Sequence, residues 1–226
     1  MSLFARGPQK SPILIVGDSL PESKVTRDRL VEILDRRGVT YNSIIIPLKY
    51  YINEYLIGKY SLKLPYDFNN REDIFRFVNA IDEPEQKSGL QGNSDLLDGL
   101  RSEILNERAE KPVIILCMGD FAFFAVRAVL NKYNSFEKKS YPKSGTKYTL
   151  EKLGAYFDKN VDIKDKENPY ILPILHNSSN LHFHNSEKFI PQNKRRKYIY
   201  YMQYIAEELC EIMVNNTRLK NYLCQI

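Results

Sequence analysis

No stretch of this 226-residue chain approaches the run of about twenty apolar residues that spans a bilayer. Its opening residues lack an apolar core followed by a small-residue cleavage site, so neither membrane spanning nor secretion is expected. Cysteine is scarce: Cys117, Cys210 and Cys224 are odd in number, far apart and without a CxxC pair. That spacing argues against a disulfide framework and against a zinc cage, and a reducing, cytoplasmic setting fits it best. Internal repeats and low-complexity segments are missing as well. Histidine is equally scarce, and His176, His182 and His184 fall within nine residues of one another. Nothing nearby completes a set of metal ligands around them, so no metal site and no cofactor is expected.

What remains is an ordinary globular composition, with 43% hydrophobic and 27% charged residues, enough for one domain spanning residues 1–226. The 33 Lys and Arg exceed the 28 Asp and Glu, for a formal charge of +5. The cations cluster at Lys132, Lys138, Lys139, Lys143, Lys147 and Lys152, and again at Lys194-Arg195-Arg196-Lys197. Tyr133, Tyr141, Tyr148, Tyr198, Tyr200 and Tyr201 are interleaved with them. Cations meet phosphates and rings meet bases; the plainer alternative is a solvated surface with tyrosines at the rim of a core.

Short apolar runs alternate with helical spacing. Pro12 to Val16, Ser43 to Ile46, Pro112 to Gly119 and Tyr170 to Leu175 read as buried strands. Helices are expected from Ser23 to Gly38, Arg71 to Ile81, Leu96 to Arg108, Phe121 to Leu130 and Gln192 to Asn215, with a short strand or turn near Leu153 to Phe157. On that reading Lys194 to Lys197 open the last helix, where cations oppose its dipole. The alternation predicts a three-layer α/β/α sandwich around a central, mostly parallel sheet of four or five strands. Ligands of such folds gather at the carboxyl ends of the strands, which selects the loops Gly17 to Ser23, Gly119 to Phe121 and His176 to His184.

The first loop, Gly17-Asp18-Ser19-Leu20-Pro21, resembles the nucleophile block of the GDSL (SGNH) hydrolases, which implies a serine esterase acting through Ser19. A serine needs a histidine base and an orienting acid, and no Asp stands three residues before any histidine here.

Taken together, ILIVGDSLPES at 13–23, VIILCMGDFAFFAV at 113–126 and YILPILHNSSNL at 170–181 resemble, in order and setting, the motifs of the uracil-DNA glycosylase superfamily. The resemblance implies a protein that binds single- or double-stranded DNA and hydrolyses the N-glycosidic bond of a damaged base. It implies that His176 stabilises the departing base, that Asp18 or Ser19 holds the water, and that backbone amides of Asn177, Ser178 and Ser179 meet a phosphate. It also places Asn180 and Leu181 at a stack-entering wedge, and Gly17, Pro21, Gly119 and Phe121 around the base. The chain departs from the family pattern where three residues separate Gly17 from Pro21 and where Asn177 replaces a proline. Pro47 stands where several members carry an asparagine after the second strand. A catalytically inactive binding relative is the remaining alternative.

Overall fold

The computed structural model describes residues 5, 7–18, 44–62, 75–81, 97–105, 111–130, 149–162, 169–175 and 186–225. In chain order its regular elements are β1 (Ile13–Gly17), α1 (Ile46–Tyr60), β2 (Phe75–Asn79), α2 (Asp98–Leu105), β3 (Ile114–Met118), α3 (Gly119–Val129), α4 (Leu150–Val161), β4 (Tyr170–Ile174), α5 (Tyr201–Asn215) and α6 (Thr217–Gln225). Two short 3-10 turns, Ser186–Phe189 and Arg195–Lys197, precede α5. The chain divides into two compact units. Met1–Leu30 and Ile74–His176 form one, and Val31–Asp73 and Asn177–Ile226 form the other.

The first unit holds a four-stranded sheet in the order β2-β1-β3-β4, with every pairing parallel. The protein is thus α/β with a parallel central sheet, as the sequence predicts. All strand residues except Tyr170 are buried, so both faces of the sheet are covered. That is why three of its strands appear in the sequence as continuous apolar runs. On one face Leu14, Val16, Val78, Ile115, Cys117 and Ile171 pack with Leu100 and Ile104 of α2 and with Phe121 to Val126 of α3. Cys117 is a fully buried small hydrophobe, and burial pushes its thiol well above the usual range. Helix α4 lies against β4, where the Asn160 side-chain amide donates to the Ile171 carbonyl at 3.0 Å.

Four local expectations are corrected. Ile44 to Ile46, the described part of the expected Ser43 to Ile46 strand, do not form one: Ile44 and Ile45 form a single π-turn that runs into α1, and Pro47 sits in the first turn of that helix. Proline lacks the N–H that a first helical turn leaves unbonded anyway, and its fixed φ favours starting a helix there. The second strand is instead Phe75–Asn79, inside the stretch expected to be helical. The region around Leu153 to Phe157 is helix α4, capped by Thr149, whose side-chain oxygen accepts from the Lys152 amide at 3.3 Å. Lys194 to Lys197 do not open the last helix. They lie on a separate turn, and α5 begins at Tyr201, so its dipole meets no cation in the first turn.

Strand β2 carries a charge in its middle. The Arg76 guanidinium donates to both carboxylate oxygens of Glu103 on α2, at 2.7 and 3.0 Å, and its third nitrogen donates to the Gly7 carbonyl at 2.9 Å. Gly7 has φ 90°, and a Cβ there would stand 2.2 Å from the Phe75 carbonyl oxygen, so only glycine lets the N-terminal segment run against β2.

In the second unit α1 packs on α5. Leu48, Ile52 and Leu56 of α1, and Tyr201, Met202, Ile205, Leu209 and Ile212 of α5, are buried; the α5 residues recur at helical spacing and so share one face. Glu211 joins the two helices by accepting from Lys59 and, at 2.6 Å, from the Tyr60 hydroxyl. Among the described residues no helix is long and apolar enough to cross a membrane.

Candidate functional site

Parallel strands deliver their carboxyl ends to one edge of the sheet, and the register of this sheet fixes what arrives there. Gly17 is opposite Asn79 across the β1–β2 pair, and Met118 is opposite Ile174 across the β3–β4 pair. Beyond β1 the chain stays in register with β2. The Ala80 amide donates to the Gly17 carbonyl at 2.9 Å and the Ile81 amide to the Asp18 carbonyl at 3.3 Å. Asp18 is thereby held at the strand end, half-buried.

Gly17 and Asn79 are in intimate contact. A Cβ on Gly17 would lie 2.7 Å from the Asn79 side-chain oxygen and 3.6 Å from the Met118 methyl, so the absent side chain is the room the carboxamide occupies. Asn79 is only 3% exposed. Its amide nitrogen has no hydrogen-bond partner among the described residues. A buried unmet donor costs about 1–3 kcal/mol, and native structures keep few of them, each with a reason such as a bound water, an ion or a functional role.

Gly119 follows β3 with φ 87°, a left-handed conformation that favours glycine, and it turns the strand directly into α3. Asp120 accepts from the Phe121 amide at 2.9 Å in that first turn. Phe121 is 4% exposed and belongs to the core on the α3 side of the sheet. Phe123 and Phe124 are also core residues.

Of the residues singled out in the sequence, Gly17 and Asp18 sit at the end of β1, Gly119 directly follows β3, and Phe121 lies in the first turn of α3. Ser19, Pro21, His176, Asn177, Ser178, Ser179, Asn180 and Leu181 lie outside the described residues, and so do His182 and His184. Leu175, at the end of β4, is the residue before His176. Among the described residues no three His, Cys, Asp or Glu side chains come together as a metal site.

Asn79 is the residue that sequence reasoning missed. Because Ile44 to Ile46 do not form a strand, Pro47 is not at the end of the second strand; the second strand ends in asparagine. The signal was present in Phe75-Arg76-Phe77-Val78-Asn79, where aromatic and β-branched residues favour a strand and a polar amide ends the run. Phe121, expected around the base, is covered by the core.

No protein-family model matches this chain, and no curated protein does either.

Proposed function

We propose that this protein is a uracil-DNA glycosylase-like enzyme that binds DNA and hydrolyses the N-glycosidic bond of a damaged base. The observation that carries the reading is the buried Asn79 carboxamide at the carboxyl edge of the parallel sheet, beside Gly17 and Asp18, with an amide donor unmet among the described residues. A carboxamide offers one donor face and one acceptor face. The edge of a flipped uracil offers an acceptor carbonyl beside an N–H donor, the complementary pair, and reading such an edge in a pocket is how base-processing enzymes select their substrate.

In the proposed reaction water adds to the sugar C1′ as the bond from C1′ to the base nitrogen breaks. Asp18 orients that water and takes its proton; Ser19 is the alternative group for holding the water, with the proton then passing to solvent. His176 stabilises the negative charge on the departing base. The amides of Asn177, Ser178 and Ser179 hold the flanking phosphate, and Leu181, the more apolar of Asn180 and Leu181, enters the stack left by the flipped nucleotide. Every atom in this scheme comes from the protein, the DNA and water, so it runs without a cofactor.

The test is incubation with single- and double-stranded oligonucleotides carrying one uracil, followed by alkali to cut abasic sites. Cleavage is expected from the native chain. It should fall by about a hundredfold or more in Asp18→Asn, as for loss of a positioned general base, and disappear in His176→Ala. Affinity for the oligonucleotide should drop steeply with salt, with a log–log slope of about −0.7 to −0.9 for each phosphate neutralised. No abasic product on any uracil substrate, or a binding curve indifferent to salt, overturns the proposal.

A further inference from the structure

The second unit carries a basic and aromatic surface that the chemistry above does not use. Its described residues hold nine Lys and Arg against five Asp and Glu. The four cations that precede α5 have different fates. Lys194 is bound to Glu208 at 3.0 Å and Lys197 to Glu207, so those charges are spent on α5. Arg195 donates to the backbone carbonyls of Ile190 and Lys188, at 2.9 and 3.3 Å, which fixes its side chain and leaves its charge without a carboxylate among the described residues. Arg196 is exposed beside it.

Three large side chains with apolar surface are exposed in this unit. Ile199, 80% exposed, and Tyr200, 57% exposed, follow these arginines in the chain, and Tyr50 on α1, the helix that packs on α5, is 49% exposed. The backbone that carries Ile199 and Tyr200 is tied to the start of α5. The Gln203 side-chain oxygen accepts from the amides of both Ile199 and Tyr200, at 2.9 and 3.1 Å, while the Tyr200 carbonyl accepts from the Gln203 amide at 3.0 Å. Tyr50 is stacked edge-on against Tyr51, with ring centroids 5.2 Å apart. Helix α1 packs on α5, and burial first, then Tyr200 and Tyr50, raise the Tyr51 hydroxyl above its usual range. Tyr198 and Tyr204, by contrast, are buried, with the ammonium groups of Lys197 and Lys194 set against their rings.

We infer that Tyr50, Ile199 and Tyr200, flanked by Arg195 and Arg196, form a docking surface for single-stranded nucleic acid. The rings stack on bases and the guanidinium groups meet the phosphates between them. Charge chooses this partner: exposed rings bordered by arginines that no described carboxylate neutralises suit a polyanion whose bases present flat faces. The inference rests on the reading that the protein works on DNA, and it adds a contact for the strand that the second unit carries by itself.

The chain contains no tryptophan, so Tyr200→Trp in the full chain introduces a single local indole reporter while keeping the backbone cap. Titration of that variant with an oligothymidylate should quench its indole emission to saturation. Tyr50→Ala and Tyr200→Ala should each weaken binding of a fluorescein-labelled oligothymidylate about tenfold, and Phe at either position should restore it. Arg196→Gln should reduce the log–log salt slope by about 0.7. Oligonucleotide binding with the indole emission unchanged overturns the surface, as does no response to any oligonucleotide. A response only to phosphatidylserine vesicles overturns it in favour of a membrane surface. Uracil release is read in parallel, with the same variants incubated with an oligonucleotide carrying one uracil. Release with the indole emission unchanged removes this surface and leaves base excision standing, whereas quenching without release does the reverse.

Discussion

At the scale of single residues, the sheet edge stores a conflict between stability and use. Asn79 is buried with an amide donor unmet among the described residues, so Asn79→Ala removes a desolvation cost along with a few contacts. The expected outcome is a melting temperature within a few degrees of the native chain and loss of uracil release in the alkali assay. A large fall in melting temperature would show that the carboxamide is structural. Gly17→Ala should behave differently. Its Cβ would meet the Asn79 oxygen at 2.7 Å, overpacking a closed spot at a cost of about 1–3 kcal/mol, measurable by urea unfolding. The site was only partly legible in the sequence. Gly17 and Asp18 stood at the end of an obvious apolar run, but Asn79 was hidden because Phe77, Val78 and Ile81 also fit the spacing of a helix face.

At the scale of elements, the strands that could be read were those whose residues are uniformly apolar. β1, β3 and β4 are buried on both faces and needed no alternation to reveal them. β2 was missed because Arg76 interrupts it, and a lone charge is tolerated there only through a partner distant in sequence. Glu103 supplies that partner from α2. The pair is nearly inaccessible, with side-chain exposures of 11% and 7%. Removing one member leaves the other charge buried and uncompensated, a loss of about 3–5 kcal/mol. Glu103→Ala should therefore lower the urea midpoint sharply, whereas the double change Arg76→Met with Glu103→Leu should recover most of it. Equal loss in both variants would mean that the pair does more than satisfy itself. Helix α4 has a sequence signature, since Thr149 caps it and Leu153 and Phe157 repeat at one-turn spacing, but so short an apolar repeat fits a strand or turn as well.

At the scale of the whole molecule, the alternation of apolar runs and helical stretches was enough to give the α/β class and a parallel sheet, because parallel strands require crossovers. The response to pH is set by interactions that no sequence pattern displays. Burial pulls the Glu207 carboxyl upward, but hydrogen bonds from Lys197, Tyr198 and Tyr55 outweigh it and hold it below the ordinary range. Lys59 and Tyr60 do the same for Glu211. A carboxylate depressed in the folded state contributes stability that is present above its unfolded value of about 4.3 and is lost as pH falls through the folded value. The tyrosines act at the other end. Tyr55 is pushed up to about 12 by burial and then by Glu207, and burial raises Tyr198 and Tyr201 further. Their contribution is complete below the unfolded tyrosine value of about 10 and fades as pH climbs past it. Thermal unfolding followed across pH should therefore show a plateau bounded by a fall below about pH 4.5 and another above about pH 10. Glu207→Gln should soften both edges, since the same carboxylate is protonated at one and repels an ionising Tyr55 and Tyr198 at the other. A variant that softens only the acid edge would show that burial alone, without Glu207, sets the tyrosines.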